Sequence, residues 1–364
     1  MPEKEPIPRL ASRCILWPSE ISPSLPGWEV VGAFNPGAAK LGSRTVLLVR
    51  VAERPQAEKS GWTGLPRWDI TRGLVVDWFR DSELEWLDPR VVRLRTSGEL
   101  RLTSVSHLRA FDSPDGVTNW RPLPFEIRPE FEWEEYGVED ARITPTSEGF
   151  LITYVAVSRH GAATALAVSE DLRSCRKQGI IFPPENKDVV IFPSRFSGAY
   201  LALHRPNPAT HFRPPEIWLA RSPDLKAWGQ HEPFWFGRAA WESGRIGAGT
   251  PPLRLGDHWL VLYHGNRRPE QPGEVGDYYG AGLLLDARDP SRVTHYSPEP
   301  LLVPSEPWEC EGFVPRVVFP TGIVASGDTL LVYYGAADTV CGVVRWNAQS
   351  LLDQLRPAAK DDGD

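Results

Sequence analysis

SPDGVTNW (113–120) is the first of three segments that share one turn pattern, and the others are SEDLRSC (169–175) and SPDLKAW (222–228). In each, Ser-x-Asp is followed by an aromatic residue or Cys six or seven positions after the Ser. The segments begin 56 and 53 residues apart, and DARDPSRV (286–293) fits as a degenerate fourth copy about 65 residues later. Ser and Asp side chains cap turn N–H groups, so we interpret these residues as structural. A strand-built repeat of this period predicts a β-propeller with four-stranded blades.

Short apolar runs lie between these turns and predict strands along the whole chain. Examples are TVLLVRV (45–51), GFLITYVAVS (149–158) and TLLVYYGAA (329–337). Pro accounts for 36 of the 364 residues and disfavours long helices, because it lacks the backbone N–H and clashes with the preceding turn. NAQSLLDQLRP (347–357) is the best helix candidate and predicts a short C-terminal helix. The sequence therefore predicts an all-β fold.

The number of blades is left open by the spacing alone. Residues 30–345 span 316 positions, which gives about 63 residues to each of five blades or about 53 to each of six. We expect an N-terminal extension over 1–29, a single catalytic domain over 30–346, and a C-terminal helix with an acidic tail over 347–364. The segment 53–73 is too long and turn-rich for a hairpin, so we expect a rim loop there.

Composition narrows the class of protein. Lys and Arg number 40 against 47 Asp and Glu, giving a net charge of −7, which argues against nucleic-acid binding. Apolar runs are shorter than the roughly 18–20 residues of a membrane span, and MPEKEPIPRLASR (1–13) lacks the apolar core of a secretory signal. Four scattered cysteines form no metal-binding spacing, so we predict reduced thiols, a cytoplasmic location and no metal site.

The candidate functional residues occur at similar places in successive repeats, as expected for a site in the central funnel of a propeller. They lie in FNPG (34–37) with Arg50, YGVEDAR (136–142), NKDVVIFP (186–193) with LHRP (203–206), GAGTPP (247–252) with YHG (263–265), and YYGAAD (333–338).

These motifs, in this order from about residue 30 to 345, resemble glycoside hydrolase family 130. That family contains mannoside phosphorylases and related β-mannosidases, and its members are five-bladed propellers. Each motif alone is weak, whereas six in register are specific. The resemblance implies five blades rather than six.

The resemblance implies that Asp140 is the catalytic acid. Adjacent side chains of a regular strand point in opposite directions, so we expect only one of Glu139 and Asp140 to enter the funnel. Arg142 shares a face with Asp140 in that geometry and is expected to pair with it or orient it, near bound substrate. Ala141 stands where many relatives have Pro.

The resemblance assigns the remaining residues to phosphate and sugar. Lys187, Arg205 and His264 match phosphate-binding positions, where we expect a cluster of positive charges to hold the anion. Lys187 stands where many relatives have Arg, so the charge is kept without the two-pronged guanidinium. Asn35, Arg50 and Asp338 match contacts to the mannosyl ring on the non-reducing side of the scissile bond.

The implied activity is inverting phosphorolysis of a β-mannosidic bond, giving α-mannose 1-phosphate and an acceptor sugar. Inorganic phosphate is the co-substrate, a β-linked mannosyl oligosaccharide is the partner, and no other cofactor is expected. The acid is thought to reach the glycosidic oxygen through the sugar's 3-hydroxyl, unlike the usual inverting carboxylate pair. The linkage, the acceptor and self-association into a homo-oligomer are left open.

Three alternative functions compete with this activity. A β-mannoside hydrolase on the same scaffold is disfavoured because relatives that hydrolyse lack the phosphate-binding cations. A non-catalytic carbohydrate-binding propeller would bind the sugar without turning it over, so an activity assay distinguishes it from the enzyme. A sialidase-like enzyme is disfavoured because the sequence has no evident three-Arg cluster for a carboxylate substrate.

Overall fold

The computed structural model describes residues 7, 9–208, 210, 212–269, 271 and 274–358. Strands make up nearly all of the regular structure, and the two α-helices have four and five residues. The prediction of an all-β chain is confirmed. The acidic tail at 360–364 lies outside the described residues.

The first part of the chain runs from the N-terminal strand to the end of the second antiparallel unit. Its strands are β1 (Ala11–Leu16), β2 (Trp28–Leu41), β3 (Arg44–Pro55), β4 (Trp62–Asp69), β5 (Gly73–Arg80), β6 (Leu84–Asp88), β7 (Val91–Leu94), β8 (Leu100–Leu102), β9 (Val105–Ser113), β10 (Arg121–Ile127), β11 (Gly137–Thr146), β12 (Gly149–Ser158), β13 (Gly161–Ser169) and β14 (Arg176–Phe182). Short 3-10 turns occur at Pro18–Glu20, Asp81–Glu83 and Glu132–Glu134.

The second part of the chain also consists mainly of strands and runs through the C-terminal helix to β27. Its elements are β15 (Asn186–Ile191), β16 (Tyr200–Pro206), β17 (Ile217–Ser222), β18 (Gly229–Trp235), a 3-10 turn at Ala240–Glu242, β19 (Arg245–Ala248), β20 (Leu253–Leu255), β21 (His258–Asn266), β22 (Tyr278–Asp286), β23 (Val293–Tyr296), α1 (Pro307–Cys310), β24 (Val318–Ser326), β25 (Thr329–Ala336), β26 (Val340–Asn347), α2 (Ala348–Leu352) and β27 (Arg356–Pro357).

The main strands form five antiparallel units. Unit 1 is β2-β3-β9-β10, unit 2 is β11-β12-β13-β14, and unit 3 is β15-β16-β17-β18. Unit 4 has β19 and β20 on β21, followed by β22 and β23, and unit 5 is β24-β25-β26 with β1. A single parallel bridge between Gly137 and Ser106 joins units 1 and 2. The first strands of successive units pack together, since β2 contacts β24 and β11, β11 contacts β15, and β15 contacts β19.

The two ends of the chain are tied into these units. β1 pairs antiparallel with β26, so that Ala11 lies opposite Arg345, and the N-terminal extension contributes an edge strand to unit 5. The predicted C-terminal helix is confirmed as α2, although it is shorter than the segment 347–357. The Asn347 side chain accepts a hydrogen bond from the Ser350 N–H at its start. β27 follows and pairs with β23.

The expectation of a rim loop at 53–73 is wrong. β3 extends to Pro55, and β4 and β5 form a hairpin. The hairpin turn is held by the Asp69 carboxylate, which accepts the N–H groups of Thr71 and Arg72 at 3.0 and 2.9 Å. Pro66 is tolerated because the two-stranded sheet leaves it on an edge. β6, β7 and β8 form a further small sheet, and we call β4–β8 the insertion.

The Ser-x-Asp turns have the structural role predicted for them. The Oγ atoms of Ser113 and Ser169 accept the N–H of the residue three positions later, both at 2.9 Å. That residue has a left-handed φ of 74° in the first turn and 55° in the second. The Asp115 carboxylate accepts two further turn N–H groups, and Asp286 does the same in the fourth copy.

A second repeat escaped the sequence analysis. Trp-Glu pairs at 133–134, 241–242 and 308–309 each place a buried Glu beside a Tyr hydroxyl. Each Glu carboxylate caps two backbone N–H groups and accepts the hydroxyl of a strand tyrosine; the Glu–Tyr pairs are Glu134–Tyr154, Glu242–Tyr263 and Glu309–Tyr334, at 2.8, 2.9 and 2.6 Å. These pairs fasten the loops before units 2, 4 and 5 to the strands behind them.

Replacing Glu134 by Ala removes one of these fastenings. The change leaves the Lys177 ammonium (2.7 Å from Glu134) without that partner, together with the capped N–H groups and the Tyr154 hydroxyl. We expect the free energy of unfolding to fall by about 3–5 kcal/mol, measured by urea denaturation.

Glu132→Ala is the matched control, because Glu132 is exposed and only two positions away. Its effect should stay within about 0.5 kcal/mol. Equal stabilities for the two variants would show that the buried carboxylate does not fasten this loop.

Candidate active site

A cavity of about 230 Å³ opens among the first strands of the units. Its charged and polar lining comprises Asn35, Arg50, Arg90, Ser104, Glu139, Asp140, Lys187, Asp188, Arg205, Asn207, Arg245, Tyr278 and Asp338. Six of the eight predicted site residues belong to this lining. The other two, Arg142 and His264, are buried behind it.

The backbone turns left-handed at the residues that present polar side chains to the cavity. Asn35, Asp140 and Asp188 have φ of 49°, 52° and 58°. Each lies inside a break of strand register, in β2, β11 and β15 respectively. Asn and Asp tolerate this conformation better than most residues. One irregularity is therefore repeated in three units and aims three side chains inward.

This irregularity corrects the expectation for Glu139 and Asp140. Strand alternation would send only one of them into the cavity, yet both line it. The bulge between Glu139 and Arg142 interrupts the alternation, because the left-handed residue adds a turn to the strand.

Asp140 is held by donors from unit 1. Asn35 Nδ2 donates to Asp140 Oδ1 at 2.8 Å, and Arg50 Nη1 lies 3.2 Å from the same oxygen. Arg50 Nη2 donates to Glu139 at 2.8 Å. Burial raises the pKa of Asp140, but Arg50, Arg142, the Asn35 hydrogen bond and Lys187 together lower it below its ordinary value. Asp140 is thus a carboxylate at neutral pH in the unliganded protein.

Arg142 supports Asp140 through the main chain. Its Nη1 donates to the Asp140 carbonyl at 2.5 Å, and its Nε donates to the Gly249 carbonyl at 2.6 Å. Its Nη2 lies 3.5 Å from Asp188 Oδ1. The predicted orienting role fits this geometry, whereas the predicted position beside substrate does not, because the side chain is 2% exposed behind the cavity wall.

The three predicted phosphate-binding residues converge. Lys187 and Arg205 are directly opposite each other in the β15–β16 pair, and Arg205 Nη1 lies 3.1 Å from His264 Nε2. Asp188, which the sequence analysis did not single out, sits between them, with Oδ2 at 2.8 Å from Arg205 and 3.4 Å from His264. Gly247 packs here because a Cβ at that position would collide with the Asp188 carboxylate and the His264 ring.

His264 does not supply a positive charge. Burial lowers its pKa to about 3, and Arg205, Arg142 and Arg245 add to that effect, while Asp188 opposes it. The expected cluster of three cations therefore contains two, Lys187 and Arg205, together with a neutral imidazole.

Two further arginines line the cavity without having been predicted. Arg245 begins β19, and within the described part of the chain its buried Nε has no hydrogen-bond partner. Arg90 belongs to the turn between β6 and β7 and lies 3.4 Å from Asp338. Arg245 stands two residues before the GAGTPP motif, and this proximity could have identified it from the sequence. Arg90 lies in the insertion, where no motif pointed to it.

Asp338 is the carboxylate of the cavity that lies beside Arg90, away from Lys187 and Arg205. It has a left-handed φ of 49° and lies two residues after the end of β25. Burial raises its pKa above the ordinary value, and Asp140 adds to this, whereas Arg90 and Arg50 oppose it.

No group of three or more His, Cys, Asp or Glu side chains suited to a metal ion occurs in the part of the chain that the structure describes. None of the described helices is long and apolar enough to cross a membrane.

A cavity that sets buried carboxylates against several cations is suited to bind a small polar ligand together with an anion. The chain belongs to glycoside hydrolase family 130, because the family described as beta-1,4-mannooligosaccharide phosphorylase matches residues 88–357. The resemblance inferred from the motifs is thereby confirmed.

Individual relatives agree with the family. A beta-1,2-mannobiose phosphorylase of Listeria innocua is 36% identical over 355 residues, covering 95% of this chain and 97% of that protein. A 1,2-beta-oligomannan phosphorylase of Thermoanaerobacter is 36% identical, covering 66% and 78%. The solved structure of the Listeria innocua enzyme with beta-1,2-mannobiose has a TM-score of 0.85 at 36% identity, covering 93% and 96%.

The neutral state of His264 predicts an acid sensitivity of the fold. An unfolded His has a pKa of about 6.5, and the folded pKa is about 3. The unfolded chain therefore binds the proton first, and stability is lost as pH falls below about 6.5. From pH 7 to pH 5 this one residue should remove about 2 kcal/mol, which His264→Gln should abolish.

The measurement is the difference between the free energies of unfolding at pH 7 and pH 5, which is insensitive to any uniform loss of stability. His160→Gln is the control, because His160 is exposed. The same pH dependence in His264→Gln and wild type would contradict the buried neutral imidazole.

Proposed function

We propose that this protein is an inverting β-mannoside phosphorylase, which cleaves a β-mannosidic bond with inorganic phosphate. One observation carries the proposal: Asp140 lines the same cavity of about 230 Å³ as Lys187, Arg205 and Arg245. An acid and an anion-binding cluster within one sugar-sized space are what direct attack by phosphate requires. The names of the relatives matched over most of this chain support the same activity.

Phosphate is bound in this proposal by Lys187, Arg205 and Arg245, while the neutral His264 imidazole, buried behind the cavity wall, contacts Arg205 at 3.1 Å. Lys187 Nζ lies 3.9 Å from Glu139, which is longer than a hydrogen bond, so the ammonium is available to an anion. Arg205 is already paired with Asp188 and keeps a fixed direction. Positioning and charge compensation then supply most of the catalytic effect, because phosphate is anionic on arrival and needs no general base.

The bond changes follow from this arrangement. A phosphate oxygen forms a bond to the anomeric carbon as the bond to the glycosidic oxygen breaks, with inversion. The leaving oxygen takes a proton that Asp140 donates, through the 3-hydroxyl of the mannosyl ring as the family implies. Asp140 is ionised before the substrates bind. Bound phosphate offsets the positive charge of Lys187 and raises the Asp140 pKa, so Asp140 takes up one proton from solvent before the reaction. It gives this proton to the leaving oxygen and is again a carboxylate, while the attacking hydrogen phosphate loses its own proton to solvent as the ester forms.

The mannosyl ring is assigned to Asn35, Arg50 and Asp338. These residues offer amide, guanidinium and carboxylate groups, which match the donors and acceptors of sugar hydroxyls. All three line the cavity beside Asp140. Arg142 is assigned the indirect role of holding the Asp140 main chain.

The substrate proposed first is β-1,2-mannobiose. The family description names a beta-1,4 activity, but that match begins at residue 88 and omits much of the insertion. The beta-1,2-mannobiose phosphorylase is matched over 95% of this chain, insertion included. The acceptor released would then be mannose.

Further features of the molecule are proposed with this function. Five antiparallel units whose first strands pack in succession support a single five-bladed propeller over 30–346 rather than six blades. The four cysteines are free thiols, as expected of a cytoplasmic protein. Association into a homo-oligomer stays a prediction.

The decisive experiment measures α-mannose 1-phosphate from β-1,2-mannobiose with and without inorganic phosphate. We expect product only with phosphate, and Asp140→Asn should lower kcat at least about a thousandfold because the acid is lost while its shape is kept. Asp257→Asn, on an exposed turn, is the control. Equal cleavage without phosphate would indicate a β-mannosidase, and sugar binding without any turnover would indicate a non-catalytic binding protein.

Lys187→Ala tests the anion site separately. We expect the KM for phosphate to rise about tenfold or more, with a smaller change in the KM for mannobiose, because a charge-assisted contact to phosphate is lost. Lys187→Arg should retain most of the affinity. Lys226→Ala, an exposed lysine, is the control. A phosphate KM unchanged in Lys187→Ala would remove Lys187 from the phosphate site.

A further inference from the structure

The insertion forms part of the cavity wall. It and the residues directly after it contribute Arg90, Val91, Leu102 and Ser104 to the lining. These side chains come from outside the five units, which otherwise supply the charged residues of the site. The insertion is therefore placed to act on whatever the cavity binds.

The insertion is fastened to unit 2. The Trp68 N–H donates to the Glu135 carbonyl at 2.7 Å. The Arg101 guanidinium lies 5.0 Å from the centre of the Tyr136 ring, and the Tyr136 hydroxyl donates to Glu99. These contacts give the insertion a fixed position relative to Glu139 and Asp140, which follow a few residues later in β11.

Arg90 is the residue of the insertion that reaches the charged network. Its guanidinium is clamped by Asp88, with Nε 3.2 Å from Oδ1 and Nη2 3.1 Å from Oδ2. The Arg90 N–H also donates to Asp88 Oδ1 at 2.7 Å. The remaining nitrogen, Nη1, is directed to Asp338 Oδ2 at 3.4 Å. A two-pronged clamp of this kind leaves the arginine little freedom to turn away.

Asp338 needs such a partner. Its side chain is 15% exposed, it follows a left-handed Ala337, and the neighbouring Asp140 repels its charge. Arg50, the other cation acting on Asp338, is already committed to Glu139 and Asp140. Without Arg90 the Asp338 carboxylate would lose the cation that faces it from the insertion.

We propose that Arg90 is a positioning residue for sugar binding: clamped by Asp88, it holds the Asp338 carboxylate in place, so that the insertion controls the affinity for the sugar and leaves phosphate binding alone. This inference rests on the proposed function of the cavity. It also separates the site into two parts, since the arginine at the phosphate side, Arg205, is fixed by a different carboxylate, Asp188.

The test compares Arg90→Ala, Arg90→Lys and Asp88→Asn with Arg93→Ala. Arg93 lies on the same small sheet, where it pairs with Glu85 at 3.0 Å and is 42% exposed, so it is a matched control outside the cavity. We expect Arg90→Ala to raise the KM for β-1,2-mannobiose about tenfold or more, with the phosphate KM changed less than about twofold. Arg90→Lys and Asp88→Asn should have intermediate effects, and Arg93→Ala should match wild type.

A second readout separates positioning from general loosening of the fold. Arg90 and Arg50 lower the Asp338 pKa, whereas burial and Asp140 raise it; Arg90 itself is faced by Asp88 and Tyr278. Losing Arg90 should therefore shift the acid limb of kcat/KM to higher pH, while Arg90→Lys keeps it near the wild-type position. A merely structural role would leave this limb unmoved.

Two results would overturn the inference: a mannobiose KM in Arg90→Ala equal to that in Arg93→Ala, or a parallel rise in the KM for phosphate. Should Arg90→Ala fail to fold, Arg90→Lys and Asp88→Asn carry the same test. Failure of the proposed function gives a different result, because wild type would then release no α-mannose 1-phosphate. Calorimetric titration of β-1,2-mannobiose into the same variants without phosphate still tests Arg90 in that case, and unchanged affinity in Arg90→Ala would overturn its role.

Discussion

The contact of Arg50 with both Glu139 and Asp140 is the interaction on which the cavity depends. Two adjacent carboxylates in a buried strand repel each other, and each pays for lost hydration unless a cation faces it. Arg50 comes from β3 of unit 1 and meets both carboxylates on β11 of unit 2. The same solution recurs around the cavity. Asp188 of unit 3 faces Arg142 of unit 2, and Arg90 of the insertion faces Asp338, which follows β25 of unit 5. Pairs of opposite charge thus connect the units at the proposed site of the reaction. The packing of the units and the geometry of the site therefore depend on the same contacts.

The repeats divide into features that maintain the fold and features that vary between units. The Ser-x-Asp turns and the buried Glu–Tyr pairs keep their residue types from unit to unit, because each satisfies backbone N–H groups that any unit must bury. The left-handed bulges keep only their backbone. Asn35 donates from its bulge, Asp140 is the proposed acid, and Asp188 clamps an arginine. One backbone device therefore presents three different functional groups, and the varied positions are those assigned to the reaction.

Most of the fold was predictable because its strands and turns follow from local sequence patterns. Apolar runs of strand length gave β12 and β25, and the recurring Ser-x-Asp turns were recognisable from side chains that act within a few residues. The predictions that failed depend on backbone conformation, burial and long-range contacts, which local sequence patterns do not specify. Regular alternation misplaced Glu139, because a left-handed φ at Asp140 is a departure from the strand. The charge of His264 depends on complete burial, which only packing decides. The Arg90 contact with Asp338 joins residues 248 positions apart in the chain, and no motif near Arg90 pointed to it.

The pairing of β1 with β26 has a consequence for how the molecule is made. Ala11 leaves the ribosome well before its partner Arg345, because the two residues are 334 positions apart (345 − 11). The sheet of unit 5 gains its edge strand only after β26 has emerged, and Asp338 is made just before that strand. Until β1 pairs with it, the exposed backbone of β26 is open to pairing with another chain.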